Sequence, residues 1–523
     1  MTLWLPLLGL VIGIGLGLAF RITLPIELAR YTAVGILAAL DSILGALRAE
    51  LEKHFDARIF ITGFYTNALL AAALTFLGDR LGIDLYLVAL FVFGWRIFQN
   101  VAVIRRHFLY PHPMPEQAVI VAIDIGTTKV CALIGELDER GGGANVIGIG
   151  SAPSDGLRKG VVIDIDRTVQ GVTAAMEAAE RMSGYKVRSA LVGVSGNHIS
   201  SQNSRGMVAI SGHRDVADDD TQRAIEAARA VSIPNTRQML HVIPRGYVVD
   251  GQAGVRDPIG MTAVRLEVET HIVTASATSV QNLSKCVQRA GVEIDELVLS
   301  PLATSEAVLS DEDRELGVAL VDLGGDTTDV AIFQDGSISH AATIPVGGRS
   351  VTSDLGIVLR VAPDSAEGIK LRYATALPLE VDPDEVVQVT SIGEELPHGV
   401  TRRHIAEIVQ YRVQELFELV AAEIEAAGAT NRLQAGLVLT GGGALLQGIG
   451  RAARDQLGMA ARVTGPRGLG GLTDQISTPP YAAASGLLLW GAHHWVTEEE
   501  RARSRSADGV GSRIARLFRG LVP

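Results

Sequence analysis

Two stretches about 200 positions apart share one grammar, and they constrain this chain more than any other feature. Residues 119–135 read Val-Ile-Val-Ala-Ile-Asp-Ile-Gly-Thr-Thr-Lys-Val-Cys-Ala-Leu-Ile-Gly. Residues 318–333 read Val-Ala-Leu-Val-Asp-Leu-Gly-Gly-Asp-Thr-Thr-Asp-Val-Ala-Ile-Phe. Each is an apolar strand, an aspartate, a glycine turn with hydroxyls, and a second apolar strand. One such hairpin is an ordinary β-turn; two with the same Asp-x-Gly layout point to a duplicated fold closing on one ligand. Gly126 permits a tight turn and close backbone approach. Thr127 and Thr128 offer donors to a phosphate, Lys129 a positive charge, and Asp124 a hard oxygen for a magnesium ion through water. Asp322, Gly324, Gly325, Asp326 and Thr327 repeat the pattern. The glycine-lysine-serine signature of a P-loop is absent from the sequence.

A third glycine element, Val438-Leu-Thr-Gly441-Gly442-Gly443-Ala-Leu-Leu, runs from an apolar strand towards a helix. Glycines there let a flat ring or a phosphate reach the backbone near a helix N-terminus. Upstream, Glu367 and Lys370 share a helix face three residues apart; a solvated ion pair is the plainer reading of that spacing alone.

The mean hydropathy of +0.27 is high for a purely soluble chain, and the apolar excess lies in the first 117 residues. Residues 3–20 carry no charge, and eighteen residues of helix span about 27 Å, close to a bilayer core. Met-Thr-Leu-Trp supplies no basic leader and Arg21-Ile-Thr is a poor cleavage site, so the run reads as an uncleaved anchor. Residues 59–78 are uncharged and residues 85–104 carry only Arg96. Residues 32–47, with Asp41, read as a fourth span or a re-entrant helix. Arg96 either pairs with Asp41 or snorkels. Basic residues before 59 (Arg48, Lys53, Arg58) and after 104 (Arg105, Arg106) place both flanks, and all that follows, on the cytoplasmic side. Two cysteines 155 positions apart exclude a disulfide scaffold and fit a reducing compartment. Of the net charge of −12, residues 1–117 contribute +1 and the rest −13, which excludes generic nucleic-acid binding through a basic face.

Pro111-His112-Pro113-Met114-Pro115 reads as a stiff linker over 111–117. Near the other end, residues 496–511 have a disordered-tether composition. Ile514, Leu517, Phe518 and Leu521 then follow i, i+3, i+4, i+7, flanked by Arg513, Arg516 and Arg519. A helix of this kind over 512–523 lies in an anionic membrane surface.

In order and spacing these motifs resemble the actin-like ATPase superfamily, its two phosphate motifs and its adenosine motif. Within it, residues 118–495 resemble the FtsA family of bacterial cell-division actin homologues. The stretches Gly156–Asp166, Val194–Ile199 and Arg205-Gly-Met-Val carry that likeness. Residues 1–109 resemble the small basic protein family of membrane proteins, through Leu40-Asp41-Ser42 and Arg96–Asn100. The resemblance implies an α/β, actin-like two-lobed ATPase fold of duplicated ribonuclease H-like domains, behind an α-helical transmembrane domain (1–110). Lobe I would begin at 118–199, an FtsA-type subdomain 1C would occupy 200–275, and 276–495 would complete the core. It further implies ATP and Mg²⁺ in the cleft. Asp124 and Asp322 would face the metal and the attacking water. Lys129 and the threonines would hold the β- and γ-phosphates, and Glu367 and Lys370 would touch ribose or adenine. The implied partners are the ring protein FtsZ, further copies of the chain in filaments, membrane lipids and other division proteins. Two departures point to ATP binding with slow or negligible turnover. Asp326 stands where a third glycine is usual, and would either join the metal shell or repel the γ-phosphate. Ser195 follows the strand where strong hydrolases carry a water-orienting Gln or Glu. A pilus-assembly protein or another actin/Hsp70-superfamily ATPase, sugar kinases included, is the alternative.

Overall fold

A computed structural model describes residues 25–51, 57–83, 86–109, 119–138, 143–394 and 396–494. The linker at 111–117, the first apolar run at 3–20, the tether and the 512–523 helix lie outside the described residues. The chain divides into two compact units, Met1–Gln117 and Ala118–Pro523.

The first unit holds three helices, Ile26–Leu51, Ala57–Leu81 and Tyr86–Leu109. Residues 32–47 thus belong to one helix of 26 residues, about 39 Å long. Val34, Ala38, Ala71 and Phe93 form its small core, where alanines let backbones approach closely. Asp41 is fully buried, and Arg96 Nη2 reaches its Oδ2 at 3.3 Å, so pairing is the arrangement this unit adopts. Among the described residues no helix is long and apolar enough to cross a membrane. Large apolar side chains nevertheless stand outward, among them Leu69, Phe91 and Phe98, each more than 70% exposed.

The second unit is built on two sheets with one plan. The first runs Glu293–Leu299, Ser189–Val194, Val119–Ile125, Lys129–Leu137, Ala144–Pro153, Leu469–Gly471. The second runs Ser337–Ile344, Thr328–Gln334, Val318–Leu323, Gly436–Thr440, Ala461–Val463. In each, three consecutive strands form an antiparallel meander and later strands extend the sheet in parallel from the first of the three, while in the first sheet Leu469–Gly471 instead pairs in parallel with Ala144–Pro153 at the other edge. Strands covered on both faces read as continuous apolar runs rather than alternating ones, as Ile120–Ile123 and Val318–Val321 do; all eight residues are buried. Helix Ile165–Ser183 covers the first sheet. Asp164 caps its start by accepting the Arg167 amide, and Gly184 ends it at φ +71°. Its contact is so close that a Cβ on Gly150 would lie 1.8 Å from the Ala175 carbonyl oxygen. Helix Arg402–Ala426 buries Phe417, Val420 and Ile424 in the second core.

Residues 200–276 form a separate four-stranded sheet in the order Ser200–Ala209, Arg265–Ser276, Arg237–Val249, Gln252–Val255, covered by helix Asp218–Arg229. Asp220, buried in the first turn of that helix, holds both Arg214 and Arg223. These guanidinium groups, with the Ala217 amide, keep its carboxyl far below the usual range.

Candidate nucleotide cleft

The two sequence-predicted hairpins turn identically. Gly126 N donates to Lys129 O at 3.0 Å and Gly324 N to Thr327 O at 2.8 Å. In register, Asp124 pairs with Cys131 and Asp322 with Asp329. The tips meet: a Cβ on Gly325 would sit 2.4 Å from Thr128 Cγ2 and 3.0 Å from Thr127 Oγ1. Behind them lies a cavity of about 930 Å³, within the range of small-molecule sites.

Asp124, Gly126, Thr127, Thr128 and Lys129 line it from one sheet; Asp322, Gly324, Gly325 and Thr327 line it from the other. Gly441, Gly442 and Gly443 line it from the end of strand Gly436–Thr440, and Glu367 and Lys370 from helix Pro363–Tyr373. Gly441 is indispensable to this packing. It adopts φ +82°, ψ +173°, and a Cβ there would fall 2.1 Å from Asp322 Oδ1.

Burial sets the electrostatics. It pushes the Asp322 carboxyl up to about 8, with Asp329 and Asp124 adding to the rise. Thr304 Oγ1 donates to its Oδ2 at 3.4 Å. Asp124 is raised by burial and eased back by Lys129. Asp329 rises to about 6 by burial, although Thr343 (2.6 Å) and Ser195 both hydrogen-bond to it. Asp124, Asp322 and Asp329 are thus buried carboxyls on neighbouring strands, and among the described residues no group of three or more acidic, histidine or cysteine side chains is placed to hold a metal ion.

Lys129 faces the cavity, but its Nζ donates to Pro480 O at 2.8 Å and sits 3.7 Å from the Tyr481 ring centre. Glu367 and Lys370 pair at 2.7 Å, and Thr352 Oγ1 bridges them at 2.5 and 2.9 Å. Despite partial burial, these partners pull the Glu367 carboxyl below its usual range. Leu371, Val413, Leu416 and Leu446 give this end of the cavity apolar walls.

Asp326 corrects the expectation placed on it. It does not line the cavity. Its carboxylate turns to Arg349 (Nη1–Oδ1, 3.3 Å) and to the Lys159 amide (3.3 Å). The reason is local: its backbone N–H is already held by Thr127 Oγ1 at 3.2 Å, which fixes the loop with the side chain facing away.

Several lining residues were missed from sequence. Asp329 was legible, because it repeats the seven-residue offset of Asp124 to Cys131. Ser300, Pro479 and Pro480 carry no local signal; only the fold brings them here, as it brings Thr304 to Asp322 and Tyr481 to Lys129.

Three protein families match the chain. A protein of unknown function (DUF1290) covers residues 24–109, the SHS2 domain inserted in FtsA covers 196–274, and cell division protein FtsA covers 319–486. Cell division protein FtsA of Pseudomonas aeruginosa is 45% identical over 373 residues, which is 71% of this chain and 89% of the relative. The chain belongs to the FtsA family. FtsA of Escherichia coli K12 agrees at 37% identity over 409 residues, 77% of this chain and 97% of its own. The four-stranded insertion is therefore the SHS2 domain of FtsA. Among solved structures, the PilM–PilN type IV pilus biogenesis complex matches with TM-score 0.51 at 16% identity, covering 71% of this chain and 98% of that one, and shows the shared actin-like fold. The likeness of residues 1–109 to the small basic protein family stays an expectation, since the family matched there is described only as one of unknown function.

Proposed function

We propose that this FtsA-family chain binds ATP with Mg²⁺ in the cleft, polymerises at the inner face of the cytoplasmic membrane, and tethers FtsZ filaments there during septum assembly. One observation carries the nucleotide part: two identical Asp-x-Gly turns meet tip to tip over a single cavity that Asp124 and Asp322 both line. Gly126–Thr128 and Gly324–Thr327 offer backbone N–H groups and hydroxyls at the phosphate end. Asp124 and Asp322 would hold Mg²⁺, which when bound neutralises phosphate charge. Lys129, restrained by Pro480 and Tyr481, would present its ammonium group to the phosphate oxygens. Gly441–Gly443, Glu367, Lys370 and the leucine walls would receive the nucleoside. Ser195, a hydroxyl where a water-orienting carboxylate or amide is wanted, supports slow turnover.

The membrane part rests on the outward apolar side chains of the first unit and on the basic flanks. The 512–523 helix, with Arg513, Ile514, Arg516, Leu517, Phe518, Arg519 and Leu521, would be a second attachment beyond the tether. Titration of the full chain with a fluorescent ATP analogue and Mg²⁺ tests the core of this reading. Saturable binding that Asp322→Asn abolishes supports it; no binding by the unaltered chain overturns it.

A further inference from the structure

Asp326 occupies the position that Thr128 holds in the first hairpin, yet it behaves differently. It is 9% exposed, lies off the cavity, and its carboxylate meets partners from both halves of the body. Arg349 belongs to helix Gly348–Leu359 on its own side. The Lys159 amide belongs to the first sheet's side. Arg349 in turn extends Nη2 to the Thr127 carbonyl oxygen at 3.5 Å, so the guanidinium that Asp326 holds also reaches across. Lys159 is held in a left-handed conformation, φ +50°, which is unfavourable for a non-glycine residue. Its neighbour Gly160 is pressed against Gly196, where a Cβ would lie 2.4 Å from the Gly196 Cα. A strained, tightly packed loop whose N–H points at a nearly buried carboxylate on the opposite lobe is organised to be gripped.

We infer that Asp326 is an inter-lobe clasp. It positions Arg349 and the Lys159 loop across the rim of the cleft, and so governs how long a ligand stays rather than how strongly its phosphates are held. The consequence for nucleotide rests on the proposed function; the clasp itself does not.

Two measurements on the full chain separate these. Spin labels go on cysteines placed at Met182 and Ile357, exposed positions on opposite lobes; native Cys131 and Cys286 are buried. Without nucleotide, the labelled parent should give one narrow distance, and Asp326→Ala a broader distribution reaching longer distances. Asp326→Asn keeps an oxygen for the Lys159 amide but loses the charge facing Arg349, and should fall between them. Identical distributions for all three overturn the clasp. Stopped-flow release of a fluorescent ATP analogue should then be about tenfold faster in Asp326→Ala, the ~1.4 kcal/mol of one charge-assisted hydrogen bond, with the association rate within about twofold. Unchanged or slower release, with nucleotide demonstrably bound, also overturns it. Altered distances in a chain that binds no nucleotide would instead leave the clasp standing and remove the nucleotide reading.

Discussion

Gly441→Ala is the sharpest perturbation of the cleft. The native backbone, φ +82° and ψ +173°, lies in a region that is essentially glycine's alone and costs other residues about 1–3 kcal/mol. The steric term is larger in consequence. The new methyl would be 2.1 Å from Asp322 Oδ1 and 2.7 Å from Leu323 O. The second neighbour is backbone inside a sheet, so the carboxylate is what moves, by about 1 Å or more. A displacement of that size at a reacting or metal-holding group costs about a hundredfold. Gly450→Ala is the matched control, because it lies off the cavity, its φ is ordinary, and its Cβ would make only an ordinary contact, 3.5 Å from Val463 Cγ2. The assay is titration with a fluorescent ATP analogue and Mg²⁺, alongside thermal melting to confirm the fold. The expectation is about a hundredfold weaker binding for Gly441→Ala and change within about threefold for Gly450→Ala. Equal effects of the two substitutions, or native affinity in Gly441→Ala, would refute the claim that Asp322 is held against this glycine to serve the ligand.

Further outcomes follow from the same geometry. Lys129→Ala removes the ammonium proposed to face the phosphates and frees Pro480–Tyr481; fluorescent-nucleotide titration should show binding abolished, and unchanged affinity would reject the phosphate-loop assignment. Asp322 keeps its proton up to about pH 8 in the fold, against 3.8 in the unfolded chain. Burial of the ionised form therefore lowers ligand-free stability progressively as pH rises from about 4 to 8. Urea melts across that range should show the decline, and Asp322→Asn should flatten it. His271 is buried with its pKa lowered to about 3 by burial, Arg245 and His340. The neutral ring it requires is favoured above the ordinary value of 6.5, so stability should fall as pH drops below that, and His271→Gln should lessen the fall. Leu517→Glu with Phe518→Glu should release from membrane fractions only a chain starting at residue 116; release of the full-length double variant would contradict the membrane reading of residues 1–110.

Much of the body was legible because its signals are local. An apolar run followed by Asp-x-Gly specifies a strand and a tight turn within a few residues, and the repetition announces the duplicated sheets. The glycine run at 441–443 was legible for the same reason, since few other demands call for three glycines after a buried strand. What the sequence hid was side-chain direction. Asp326 reads as a carboxylate beside the γ-phosphate, but a one-residue change of facing in the turn sends it to Arg349 and Lys159 instead. Thr304 and Pro479–Tyr481 enter through helix packing and chain crossover, which no window of neighbouring residues encodes. In the first unit, Asp41 and Arg96 stood out as costly charges in apolar runs, and packing of their two helices brings them to 3.3 Å while leaving both Asp41 oxygens without a hydrogen bond.

The most direct test reconstitutes the full chain in liposomes and sediments them with purified FtsZ, with and without ATP and Mg²⁺. FtsZ should pellet with the vesicles when ATP is present, and Gly441→Ala should sharply reduce its recovery. FtsZ remaining in the supernatant although the chain is membrane-bound and nucleotide-loaded would contradict the proposed function.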